Sequence, residues 1–249
     1  MIVCRTKKQF ESSLKIWLFR EELTKAELIK PLFDQFEATL SANGFAAQKG
    51  QIIDATIVSA PKQRNTREEN KQLKEGETPE IWDERPNKKR QKDVDARWTM
   101  KRGTTYYGYK NHVTVDVKHK LIRDFDVTNA STHDSQVLEN ILDVNNSNKK
   151  IYADSAYASE KISDLLKSKD LTNCIHKKGY RNRPLTEKQI ASNRKKSRIR
   201  SRVEHIFGVQ SQRAGDLILR SIGLVRAKAK IGLRNLSYNM SRYAILSGG

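Results

Sequence analysis

Two aspartates and a glutamate occupy places where a carboxylate needs a reason. Asp54 interrupts the β-branched run Ile52-Ile53-Asp54-Ala55-Thr56-Ile57-Val58, Asp154 follows the short apolar run Ile151-Tyr152-Ala153, and Glu204 falls among arginines in Arg200-Ser-Arg-Val-Glu204-His-Ile-Phe207. Asp is disfavoured inside strands, and for Asp54 alone a solvated strand face is the better reading. Asp154 stands at the carboxyl end of a strand and before a helix, where open α/β sheets build their sites. Glu204 would pair with Arg200 only in the poorer helical order, base before acid. From Lys177 to Arg202 the only acid is Glu187, and a carboxylate amid such positive potential stays ionised. Taken together, in strand–strand–helix order, three hard carboxylates could hold divalent metal while leaving positions for water and phosphate. Phosphodiester chemistry needs such a set.

The charge balance agrees. The 249-residue chain carries 48 Lys+Arg against 29 Asp+Glu, a formal net charge of +19, which is the footprint of a phosphate-backbone binder. A merely basic surface, as ribosome-associated proteins have, is the competing reading. Apolar residues make up 37% and charged residues 31%, too apolar for a wholly disordered chain. Cys4 and Cys174 are too few for a disulfide framework and lack metal-ligand spacing, which fits a reducing cytoplasm. The apolar run Ile16-Trp-Leu-Phe19 is too short for a membrane span or a signal peptide.

These residues need a scaffold. Residues 8–44 read as helical, with an apolar stripe of Leu14, Trp17, Leu18 and Leu23. Thr24-Lys-Ala-Glu27 reads as a capping box opening a second helix along Leu28, Leu32, Phe36 and Leu40, and Asn43-Gly44 ends it. A buried strand is expected at 50–59 and a long charged loop with a helical turn at 61–98. Strands at 106–117 and 121–127, linked by Lys118-His-Lys120, form a hairpin. A helix near 135–142, a strand at 150–153, a helix at 156–166 and a strand at 171–176 follow. Thr186-Glu-Lys-Gln189 caps a long helix whose Ile199, Val203 and Ile206 form its buried face. The last helix, 223–246, turns Leu224, Ile231, Leu236, Met240 and Tyr243 inward and leaves Arg226, Lys228, Lys230 and Arg234 for phosphates. Hairpin strands followed by alternating helix and strand predict a mixed α/β sheet flanked by helices.

Other polar residues compete for attention. His133-Asp134 has no second His–Asp pair, so a hydrogen-bonding or helix-start role is favoured over metal binding. Asp116 and Asp126 are expected to face solvent. Lys110 and His112 alternate onto one strand face, where a phosphate contact and a plain surface role are equally open. Trp98 could stack on a base, although core anchoring is the commoner fate of a Trp.

Six ordered stretches carry a resemblance: Lys49-Gly-Gln-Ile-Ile-Asp-Ala-Thr-Ile-Val58, Asp95-Ala-Arg-Trp-Thr99, Tyr107-Gly-Tyr-Lys-Asn-His112, His133-Asp-Ser135, Ala153-Asp-Ser-Ala-Tyr157 and Arg202-Val-Glu-His-Ile-Phe-Gly208. The C-terminal Ala227-Lys-Ala-Lys-Ile-Gly-Leu-Arg-Asn-Leu236 joins them. With these, the chain resembles the DDE transposases of the bacterial insertion sequence five family (an insertion sequence four-like group). The resemblance implies a ribonuclease H-like catalytic domain over 46–249, preceded by a helical remnant at 1–45. It implies Asp54, Asp154 and Glu204 as the catalytic and metal-binding triad, with two Mg²⁺ or Mn²⁺ ions. It also implies double-stranded DNA as partner (terminal inverted repeats and target), a homo-oligomeric synaptic complex, and a cytoplasmic, nucleoid-associated location. Arg200 matches the family's Arg four positions before the Glu. Arg200, Lys110, His112, Trp98, Arg202 and Arg213 are the expected DNA contacts. Ser197 stands where relatives often have Tyr and Ser211 where they often have Lys, with Arg213 a candidate substitute for that Lys. Met1 to Lys15 do not resemble the family's N-terminal helices, so a truncated or frameshifted copy is expected. Three readings follow: a transposase that cleaves and joins, a metal-dependent nuclease that only cleaves, and a silent DNA-binding remnant.

Overall fold

The computed structural model describes residues 7–214 and 218–248, and the side chains of 14–212 and 218–248. Its strands are β1 (Gln51–Ser59), β2 (Arg97–Lys101), β3 (Thr104–Asp116), β4 (Ile122–Asn129), β5 (Lys150–Tyr152) and β6 (Thr172–Asn173). Its α-helices are α1 (Lys7–Lys25), α2 (Ile29–Leu40), α3 (Arg67–Glu75), α4 (Pro86–Arg90), α5 (Glu160–Ser168), α6 (Glu187–Ala214) and α7 (Leu224–Leu246). The sheet runs β2-β3-β1-β5-β6, with β4 also paired to β3. Pairs of β3 with β1, β2 and β4 are antiparallel, whereas β1–β5 and β5–β6 are parallel. This mixed sheet flanked by helices is the ribonuclease H-like arrangement expected.

Alternation along β1 divides the core in two. Ile52 and Val58 pack with Val113, Phe125, Val203 and Leu236 beneath α2, α6 and α7. Ile53 enters a second cluster with Leu138, Ile141, Tyr157 and Leu166 on the α5 side. By the same alternation Asp54 shares the side of Ile52, toward α6.

The long C-terminal helix begins as expected: Thr186 Oγ1 accepts from the Gln189 amide at 3.3 Å and Gln189 Oε1 from the Thr186 amide at 3.0 Å. Val203 and Ile206 are fully buried. The N-terminal expectations need correction. Thr24 does not cap; its hydroxyl donates to the Arg20 carbonyl at 2.7 Å, and Glu27 takes a left-handed φ of 54°. That break replaces the first half of the expected stripe, burying Ile29 and Phe33 and leaving Leu28 and Leu32 exposed, while Leu40 is fully buried and Phe36 packs on the core as expected. The α1 stripe of Leu14, Trp17 and Leu18 is likewise exposed.

The stretch 61–98 is more ordered than a loop. Thr66 and Glu69 form a reciprocal capping box on α3, and buried Glu69 also accepts from the Trp82 indole at 2.6 Å and from Lys88 at 3.0 Å. Strand β2 was not expected; a tight turn with positive φ at Arg102 and Gly103 folds it onto β3. Residues 134–141 form two short 3₁₀ turns instead of a helix, and β6 is two residues long.

Asp116 is a further correction. It is wholly buried, because the hairpin between β3 and β4 folds its amides onto the carboxylate: it accepts from the His119 amide at 2.7 Å, the Leu121 amide at 3.1 Å and Arg123 Nε at 3.1 Å. Asp126 is partly buried and lies 3.6 Å from Lys228. The cations of α7 are not free for phosphates as a set: Arg226 pairs with Glu21 at 3.0 Å and Lys228 with Asp126.

Candidate active site

The parallel register of β1 and β5 pairs Gln51 with Ile151 and Ile52 with Tyr152. Continued two residues, it sets Asp54 and Asp154 at equivalent positions on neighbouring chains of the sheet. Asp154 closes the end of β5 and starts the next turn, its Oδ1 accepting from the Ala156 amide at 2.8 Å. Asp54 Oδ1 accepts from the Ala55 amide at 2.9 Å. Its Oδ2 faces Arg200 of α6, whose Nε and Nη2 both lie at 3.4 Å. The Asp54 side chain is only 15% exposed. Burial raises the Asp54 carboxyl above its ordinary range, Arg200 and the Ala55 amide oppose that rise, and the charge of Asp154 adds to it.

Tyr157, three residues past Asp154, completes this environment. Its hydroxyl is buried with no hydrogen-bond partner among the described residues. Burial and the charges of Asp134, Asp54 and Asp154 push its phenol well up, so it stays neutral. The position was visible in the Ala153–Tyr157 motif, but its burial was not.

The donor chemistry fits a hard divalent cation in part. Asp54 and Asp154 offer carboxylate oxygens, and the arginine facing Asp54 stands at a long distance, leaving lone pairs for a metal. Glu204 lies on α6 one turn beyond Arg200, exposed and without an ion pair among the described residues. Among the described residues, no group of three or more His, Cys, Asp or Glu side chains stands close enough to hold a metal ion. The register thus sets Asp54 and Asp154 on neighbouring segments of the sheet with Arg200 against Asp54, and Glu204 is exposed on α6 one turn further on.

The expected DNA contacts divide. Lys110 turns inward, 13% exposed, donating to the Thr132 carbonyl at 2.7 Å and to Asp134 at 2.8 Å. His112 is fully buried against Thr128 Oγ1 at 2.9 Å, and burial pushes its imidazole down to about 4. Neither sits on a surface that a duplex could reach, because β3 is covered on both faces. Arg202 donates to the Val117 carbonyl and ties α6 to the end of β3. Trp98 remains 40% exposed, its ring 5.1 Å from that of Tyr107, with Lys62 at 5.9 Å. The Arg213 side chain lies outside the described residues. Ser197 Oγ reaches His176 Nε2 at 3.3 Å. His133 caps its turn through Ser135, the hydrogen-bonding role expected of it.

A family model described as Transposase DDE domain matches residues 46–240. The chain belongs to the DDE transposases, and it is an enzyme of DNA transposition. Over 241 residues it is 29% identical to the transposase for insertion sequence element IS1106 of Neisseria meningitidis serogroup B, covering 94% of this chain and 80% of that protein. No solved structure matches the chain. The family uses divalent metal ions. Among the described residues, no helix is long and apolar enough to cross a membrane.

Proposed function

We propose that the chain nicks the ends of a DNA element and joins the freed 3′-hydroxyl to target DNA, with Asp54, Asp154 and Glu204 holding a pair of Mg²⁺ or Mn²⁺ ions. The observation that carries this reading is the meeting of Asp54 and Asp154 on adjacent parallel strands beneath Arg200. Metal ions bound there supply Lewis-acid activation of the attacking oxygen and the phosphate. Glu204 enters by its order in the chain and its place one turn beyond Arg200. Arg200 holds Asp54 from the α6 side, and its guanidinium fork suits a phosphate oxygen as well as a carboxylate. In the first step water adds to phosphorus and the 3′-oxygen leaves, giving a 3′-hydroxyl and a 5′-phosphate. In the second, that 3′-oxygen attacks a target phosphate, whose own 3′-oxygen leaves. Bond numbers balance, and no nucleotide is consumed. Two or more copies would hold paired terminal repeats in a synaptic complex.

The exposure of Glu204 favours one second reading, a DNA-binding remnant whose carboxylates do not act together. A labelled duplex bearing the element's terminal repeat, incubated with Mg²⁺ or Mn²⁺ against EDTA, separates the readings. Metal-dependent nicks with joined products support transposition; nicks alone mean a nuclease. Binding without cleavage means the remnant.

A further inference from the structure

The sequence contains two basic stretches that look alike, one at 177–202 and one in α7, and the fold treats them differently. In α7, Arg226 and Lys228 are neutralised by Glu21 and Asp126. Around α3 and α4, Lys88 and Lys89 are likewise paired with Glu69 and Asp83. Lys177, Lys178, Arg181, Arg183, Arg194 and Arg198 are all exposed, and none has an ion-pair partner among the described residues. The only acid in that stretch is Glu187.

This bare stretch is also braced. Tyr180 and Arg183 exchange two backbone hydrogen bonds of 3.1 Å, folding residues 180–183 into a tight turn. The root of the turn is fixed to α6 by Asn193, which accepts from the Lys177 amide at 2.9 Å and donates to the Lys177 carbonyl at 3.0 Å. Lys196 adds a bond to the Ile175 carbonyl at 2.8 Å. Asn193, Lys196, Ser197 and Arg200 therefore face the sheet edge, while Arg194 and Arg198, four residues apart, share another strip of the helix. One end of the arrangement is at the site itself, since Arg200 touches Asp54 and the His176 amide bonds to the carbonyl of Ala153, next to Asp154.

We infer that the 177–183 turn and the N-terminal half of α6 form the track that grips the duplex beside the scissile phosphate. The inference rests on the proposed function and gives it a DNA path. From Glu187 to Arg200 the helix is about 20 Å long, which matches the phosphate spacing of about six base pairs. A generic solubilising surface would mix both signs, as the rest of this molecule does. A braced run of cations with a single acid, Glu187, leading to a phosphodiester site suits a polyanion.

The test measures duplex binding by fluorescence anisotropy across a salt series in EDTA, using the full chain and the terminal repeat. The fourfold variant Lys177→Ala, Lys178→Ala, Arg181→Ala, Arg183→Ala should bind more weakly and lose roughly three to four from the slope of log affinity on log salt, at ~0.9 per phosphate contact. Its melting temperature should match wild type, and changing the same four to the other basic residue (Lys→Arg, Arg→Lys) should restore the slope. Arg226→Ala with Lys228→Ala should leave the slope unchanged. Unchanged affinity and slope in the fourfold variant overturn the inference, as does equal loss from the α7 pair. Tighter binding of an RNA duplex of the same length overturns the choice of DNA. Asp154→Asn keeps the two ideas separate: if it binds normally but still cleaves, the catalytic assignment fails while the track stands.

Discussion

Asp116 and Asp54 lie on adjacent strands of one sheet, the first wholly and the second partly buried, and their surroundings are opposite. Asp116 accepts from two amides and from Arg123, whose other nitrogens reach Glu37 at 2.6 Å and the Phe45 carbonyl at 2.7 Å. Three donors hold that carboxylate, on both of its oxygens. Asp54 has a single amide from its own neighbour and an arginine at 3.4 Å. A buried carboxylate surrounded by donors fixes the fold; one with few close donors keeps its oxygens available to something that arrives. The difference lies in the count of donors and in access, because Asp116 is sealed from solvent and Asp54 keeps 15% of its side chain exposed.

The comparison can be broken at several points. The largest effect should come from Asp54→Asn or Asp154→Asn: metal-dependent cleavage falls to background in a gel assay while urea unfolding stays close to wild type. Surviving cleavage in either variant would remove that residue from the site. Next, Asp116→Ala should destabilise the protein by roughly 3–5 kcal/mol, since Arg123 is left buried beside an incomplete set of partners; chemical denaturation measures it, and a loss under 1 kcal/mol would make the closed network ornamental.

A third buried carboxylate sharpens the point with pH. Burial works to raise Glu69, but the Trp82 indole, the Thr66 amide and Lys88 together outweigh it and hold the carboxyl down to about 2. The folded chain binds this proton more weakly than the unfolded one. Its contribution is therefore full above the ordinary value of 4.5 and is lost as pH falls from there toward 2. Glu69→Gln should flatten acid unfolding in that window, and an unaltered profile would refute the assignment. The smallest of these stability effects is expected for Arg200→Ala, a loss of about 1–2 kcal/mol because its contact with the partly buried Asp54 is long, at 3.4 Å, against a clear loss of cleavage. Equal losses of fold and activity would make Arg200 a strut.

What could be read in advance follows from how far each signal reaches along the chain. The Thr186–Gln189 cap and the Ile199, Val203, Ile206 face of α6 are local patterns, and they formed as expected. Strand β1 and the position of Asp54 within it were equally legible. Asp116, Lys110 and His112 were misread because β3 is central and covered on both faces, so alternation along it no longer separates inside from outside. Arg226 and Lys228 looked free because their partners, Glu21 and Asp126, are distant in sequence. The order within 61–98 escaped notice because its anchor is a charged residue, Glu69, whose burial depends on Trp82 thirteen residues later. Glu204 was legible as a candidate, yet its side chain's orientation on α6 is a matter of packing that no spacing reveals.

α6 is a single rod of 28 residues, and its parts have different neighbours. Its first half is pinned to the 177–183 turn, its middle touches Asp54, and its Val203 and Ile206 are sunk into the core. The residues that hold the turn, Asn193 and Lys196, lie on the same helix as Arg200, so a displacement of the turn would be felt at Asp54. Turn and carboxylate site would then be registered on one helix, set apart only by the roughly two turns from Asn193 to Arg200.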